Sequence, residues 1–183
     1  MGKKTGPNPT DRGKKGVKRS LLTDGHGLPI DLAVAGANRH DMTLVEATLT
    51  SLIVSRPVPT PTSPQHLCMD KGYDYESIRT LLDRFGFTAH IRGRGEERRA
   101  LITHPDAHPR RWTVERTHSW LNRYRRILIR WKKKAKNYTA FLHFACAQLL
   151  FTLLGYSDRL LVCEKVSKEL FLTIKWSVIL FQR

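Results

Sequence analysis

The apolar positions of this chain fall into short runs that change period along its length. Residues 17–23 and 28–35 are two apolar segments around Asp24-Gly25-His26-Gly27, a strong reverse-turn signal, and together they predict a β-hairpin. Leu44, Val45, Leu49, Leu52 and Ile53 then recur at helical spacing and predict a helix to about Val54, with Asn38 placed to cap it. Residues 56–64 hold four prolines and exclude regular structure. They lead into His66-Leu67-Cys68-Met69-Asp70, a short buried-type strand with a carboxylate at its end. Ile78, Leu81, Leu82 and Phe85 share one face of a helix that stops at Gly86, and residues 87–91 form another short strand.

Beyond a basic loop at 92–111, the spacing predicts one long helix over 112–131, its apolar face running through Trp120, Tyr124, Ile127 and Trp131. A second, strongly apolar helix follows over 138–154. Strands alternating with helices imply an α/β layered domain. The first 15 residues are rich in Gly, Pro and Lys without apolar period, so they are expected to form an irregular basic arm. The tail from Tyr156 has a weak helical pattern through Leu160, Leu161, Glu164, Lys165 and Lys168.

At 183 residues and 40% hydrophobic content, the chain can bury one core. Charge changes the picture: 32 Lys and Arg stand against 16 Asp and Glu, a formal net charge of +16. Self-repulsion of that size opposes compaction unless a polyanion offsets it. Cys68, Cys146 and Cys163 lie far apart without a metal-ligand spacing and fit reduced thiols of a cytoplasmic protein. The most apolar stretches, 141–154 and 169–181, are too short to span a membrane.

Two acids stand out. Asp70 ends an apolar strand, where α/β sheets place reactive side chains, while Asp74 is the better candidate to cap the next helix. Glu115 is the single acid among the eleven basic residues of 110–136. Trp112, Trp120, Tyr124 and Trp131 interleave with those arginines, a combination suited to phosphate contact and base stacking.

Five ordered blocks sharpen this reading. They are residues 5–16 (Thr-Gly-Pro-Asn-Pro-Thr-Asp-Arg-Gly-Lys-Lys-Gly), 36–41 (Gly-Ala-Asn-Arg-His-Asp), 69–74 (Met-Asp-Lys-Gly-Tyr-Asp), 111–126 and 141–147. In this order the chain resembles the DDE transposases of insertion sequences, of the insertion-sequence-five type. The resemblance implies a ribonuclease H-like mixed sheet flanked by helices and phosphoryl transfer on DNA. It implies a catalytic triad of two Asp and a Glu, whose second Asp falls on Asp70 and whose Glu falls on Glu115. Those carboxylates would hold two Mg²⁺ (or Mn²⁺) ions and approach each other in the fold. Arg111 matches the signature arginine four residues before the Glu. His108 stands where the signature has Tyr, and Asn122 with Arg123 where it has a final basic residue. DNA contacts are expected from Arg111, Arg116, Arg123, Arg125, Arg126, Arg130, Lys132 and Lys133.

One part of the family pattern is absent. The family's first Asp lies on an apolar strand just upstream of the Gly-Pro-Asn-Pro segment, and this sequence opens almost at that segment. Asp11 falls in the arm and Asp24 in the hairpin turn, so neither replaces it. The expectation is therefore a basic arm at 1–15, a partial catalytic domain at 16–155 lacking its central first strand, and an out-of-family tail at 156–183. Such a chain would be a gene remnant or a frameshift-encoded portion. Its expected partners are the DNA of terminal inverted repeats, and either another copy or the missing N-terminal segment in trans. The rivals are a non-catalytic DNA-binding protein that modulates full-length transposase and an RNA-binding protein of ribosomal type.

Overall fold

The computed structural model describes residues 4–9, 11–91, 111–153 and 177–182. Its six-stranded sheet is built from β1 (Gly6–Pro7), β2 (Lys15–Thr23), β3 (Pro29–Gly36), β4 (Gln65–Met69), β5 (Phe87–Ile91) and β6 (Ser177–Gln182). The helices are α1 (Met42–Thr50), α2 (Glu76–Arg84), α3 (Arg111–Asn122), α4 (Arg125–Leu128) and α5 (Ala135–Leu153), with a single 3₁₀ turn at Lys71–Tyr73. None of the described helices is long and apolar enough to cross a membrane.

The expected hairpin forms: β2 and β3 pair antiparallel from Val17↔Gly36 to Thr23↔Pro29. Asp24 closes its turn, the Oδ1 accepting from the backbone N–H of His26 at 2.9 Å and of Leu28 at 2.7 Å. That carboxylate is buried and engaged in the turn itself. β4 and β5 pair parallel from Gln65↔Phe87 to Met69↔Ile91. Between these two halves lies β6, antiparallel to β2 and parallel to β4. Leu22, Leu180 and Met69 therefore share one row. The middle of the sheet, expected to lack a strand, is held by residues 177–182. Their sequence Ser-Val-Ile-Leu-Phe-Gln is a continuous apolar run with polar ends.

Alternation along the strands sends successive side chains to opposite faces. On one face Leu22, Leu67 and Met69 join Val45, Leu49, Ile78, Leu82 and Phe87 under α1 and α2. On the other, Leu21, Leu32 and Val34 meet Val114, Leu121, Ile127, Tyr138 and Leu142 of α3, α4 and α5. Thr48 Oγ1 donates to Ser20 Oγ at 2.8 Å and so ties α1 to β2 through two buried hydroxyls.

Several local expectations are corrected. The first residues are not wholly irregular: β1 pairs Gly6↔Gly16 and Pro7↔Lys15. Asn38 does not cap α1, whose cap position is Asp41; the Asn38 side chain instead packs against Gly6 and Gly36. Asp74 does not cap α2, because it is drawn to Arg79, with a 2.6 Å ion pair. The long helix breaks at Tyr124, where the backbone is extended (φ −81, ψ 100), and residues beyond Leu128 leave the helix. The break lets Ile127 enter the core, and its carbonyl accepts from the Tyr138 hydroxyl at 3.1 Å. The buried face is also rotated from the expected one. Thr113, Val114, Thr117, His118 and Leu121 point inward, whereas Trp131 is 74% exposed. Gly86 is as expected, with φ +72 just past α2 and its N–H bonded to Asp83. The helical pattern in the tail and the 92–110 loop lie outside the described residues.

The two tryptophans of α3, Trp112 and Trp120, hold an arginine between them. The Arg116 guanidinium lies 4.4 Å from the Trp112 ring centroid and 4.8 Å from that of Trp120. Its Nη2 donates to the His26 carbonyl at 2.6 Å, and Thr117 Oγ1 donates to the Gly27 carbonyl at 2.7 Å. Gly27 has φ +88, and a Cβ there would sit 2.9 Å from Thr117 Oγ1. Glycine is thus needed twice over, for the turn and for the docking of α3. Gly27→Ala is expected to destabilise the fold by about 1–3 kcal/mol in urea denaturation, from left-handed strain plus overpacking. Arg116→Ala should cost about 1–3 kcal/mol by loss of the stacked, hydrogen-bonded guanidinium. Arg125→Ala, an exposed neighbour, should stay within about 0.5 kcal/mol. Equal effects at Arg116 and Arg125 would contradict this docking.

Candidate acidic site and nucleic-acid interface

Asp70 is the first residue beyond β4, and its backbone stays extended (φ −73, ψ 157). Its Oδ1 accepts from the Lys71 N–H at 2.8 Å, so the side chain caps the 3₁₀ turn that comes next. By strand parity it follows Cys68, which packs with the cluster on the α3 side of the sheet. It also lies near Tyr73: burial, with the charges of Asp41 and Asp70, pushes the Tyr73 hydroxyl well above its ordinary pKa. The phenol is therefore neutral at physiological pH.

Glu115 is exposed on the outer side of α3, next to Ser119, whose hydroxyl donates to the Glu115 carbonyl oxygen at 3.0 Å. Its own carboxylate has no ion-pair partner among the described residues. α3 is anchored at Arg116 and Thr117 to the β2–β3 turn. Among the described residues no three His, Cys, Asp or Glu side chains gather closely enough to hold a metal ion. The carboxylate oxygens of Asp70 and Glu115 are donors of the right kind for a hard divalent cation.

The basic residues divide into two groups. Arg116 is held between its two tryptophans. Arg130 is likewise engaged: its guanidinium donates to the carbonyls of Lys132 (3.0 Å), Lys4 (3.1 Å) and Lys133 (3.2 Å) and lies over the Tyr138 ring. Arg123, Arg125 and Arg126 are exposed around the α3–α4 break, and Lys132 and Lys133 are exposed on the segment after α4. Arg111 opens α3, and its side chain lies outside the described residues. Arg130, Lys132 and Lys133 border a groove of about 640 Å³ that sequence reasoning missed. One wall is the segment after α4; the other is the N-terminal hairpin, including Lys14 and Lys15. The two walls are far apart in sequence, so no local pattern could have joined them.

The comparisons with known proteins agree on one family. Residues 2–150 match the model of the transposase DDE domain. The chain is also 34% identical, over 161 residues, to a protein assigned as the transposase of insertion sequence element IS402 in Burkholderia cepacia. That similarity covers 85% of this chain and 72% of the relative. No solved structure matches the chain. The chain is therefore a member of the DDE transposase family.

Proposed function

We propose that this chain acts in the DNA strand cleavage and transfer of insertion-sequence transposition, on a ribonuclease H-like sheet. The observation that carries the reading is the place of Asp70. It leaves the C-terminal end of a parallel strand next to the middle strand of the sheet, where open α/β folds collect reactive groups. The antiparallel hairpin on one side of the middle strand and the parallel pair on the other support the same architecture.

Asp70 and Glu115 are the acids we assign to the metal site. Carboxylate oxygens favour Mg²⁺ or Mn²⁺. When bound, such a pair of ions activates the attacking water or 3′-hydroxyl and stabilises the leaving oxygen. In the arrangement described, the strand beside Asp70 is β6, whose sequence has no acid: Leu180 pairs with Met69, and Phe181 and Gln182 come after it. We therefore assign the assembled acid site to a state in which the middle position is taken by a strand that carries the third carboxylate. A bare strand edge invites just such a partner. Terminal inverted repeats are the DNA we expect the protein to act on, in the cytoplasm and without a membrane.

Asp70→Asn makes a clean test, because Asn also caps turns and the N–H of Lys71 keeps its acceptor. The assay is nicking of terminal-repeat DNA with Mn²⁺, by the chain alone and with an added peptide bearing an apolar strand that ends in Asp. Nicking is expected only with the peptide, and both Asp70→Asn and Glu115→Gln should bring it to background while thermal unfolding is unchanged. Nicking at the wild-type rate in either variant would remove that residue from the site.

A further inference from the structure

We infer that the groove between the N-terminal hairpin and the segment after α4 is a docking site for the DNA backbone. The sugar–phosphate chain would run between Lys14 and Lys15 on one wall and Lys132 and Lys133 on the other. The choice of DNA over another polyanion rests on the proposed role in transposition; the groove itself rests on its charge, its construction and its exposed apolar rim.

Charge is the first argument. Six basic side chains line the groove, Lys14, Lys15, Arg19, Arg130, Lys132 and Lys133, against the single carboxylate of Asp11. Asp11 is paired with Lys14 at 3.4 Å, and that lysine side chain remains 70% exposed. Cations drawn this close repel one another, and a phosphate chain converts that repulsion into attraction with release of counterions. A volume of about 640 Å³ is far more than one ion needs.

Construction is the second argument. The Arg130 guanidinium faces inward and bonds three carbonyls, one from Lys4 and two from its own segment. It ties the segment after α4 to the chain beside β1 and so sets the spacing of the walls; Arg130 is a positioning residue here. On the opposite wall the hairpin is closed by its own backbone, with the Asn8 N–H donating to Lys14 at 2.8 Å and the Gly13 N–H to Asn8 at 3.0 Å. Both walls are therefore built before any ligand arrives, which lowers the ordering cost of binding.

Exposed apolar surface is the third. Leu128, Ile129 and Trp131 border the groove at 56%, 59% and 74% exposure. Three large apolar side chains beside a ring of lysines suit a ligand that is anionic along its backbone and flat and apolar at its bases and sugars. The Trp131 ring is the surface we assign to the base or sugar face.

The test is a salt titration of affinity for labelled duplex and single-stranded DNA. It uses the full chain and three double variants, Lys14→Gln/Lys15→Gln, Lys132→Gln/Lys133→Gln and, as an equal-charge control on α2, Arg79→Gln/Arg84→Gln. Each groove lysine that contacts a phosphate should flatten the log–log salt slope by about 1 when removed. Both groove pairs should therefore lose about two units of slope, and the control pair should keep the wild-type slope. Trp131→Ala should weaken single-strand binding more than duplex binding and leave the slope unchanged. Slopes that fall equally in all three double variants, or that stay unchanged in the groove pairs, would overturn the proposal. The same variants in the nicking assay separate the two readings. Lost slope with no metal-dependent nicking by any form keeps the groove and removes the cleavage function; intact slope with nicking does the reverse.

Discussion

Everything else in this fold depends on the pairing of β6 between β2 and β4. Remove it and the sheet is two separate pieces, an antiparallel hairpin and a parallel pair, with no other strand between them among the described residues. Each piece would be two-stranded apart from the short β1, and isolated two-stranded units are marginal in water. Both cores also depend on it. Leu22 and Met69, which meet in one cluster under α1 and α2, come from strands that touch only through β6. The chain thus bridges its two halves with residues that come after them in sequence, and the long-range closure is the costly step in building the domain.

That same pairing shapes the chemistry. Register fixes which residue lies beside Asp70, and a slip by one would turn every side chain of the strand to the other face. With Leu180 opposite Met69, the strand beside Asp70 is apolar at that point. The basic groove does not depend on this pairing in the same way, since β2 supplies one side and the segment after α4 the other.

Much of the sheet was legible in the sequence, because its strands are short apolar runs bounded by turn residues. The Asp-Gly-His-Gly turn, the strand ending in Asp70 and the helix stopped by Gly86 all carry local signals with a direct physical cause. α3 was legible as a helix and illegible in its facing. Tryptophan is usually core, but here two indoles clamp an arginine at the surface, a tertiary choice that periodicity cannot show. The break at Tyr124 has no Gly or Pro to announce it; the need to bury Ile127 and satisfy its carbonyl with Tyr138 decides it. β6 had a signal, the apolar run 178–181, but its pairing spans most of the chain and no local pattern sets a register at that distance. Asp70 was marked by its strand-end position. The groove was invisible, because its walls are far apart in sequence and are joined by a tertiary bond, from Arg130 to the Lys4 carbonyl.

The central claim is that residues 177–182 are the middle strand. Amide hydrogen exchange of the full chain under native conditions reads this directly. The account predicts that the N–H groups of Val178 to Phe181 exchange as slowly as those of Leu21, Leu22, Leu67 and Cys68, since all would be released only by global unfolding. Exchange of 178–181 at the rate of an unstructured peptide, with β2 and β4 still protected, would contradict it.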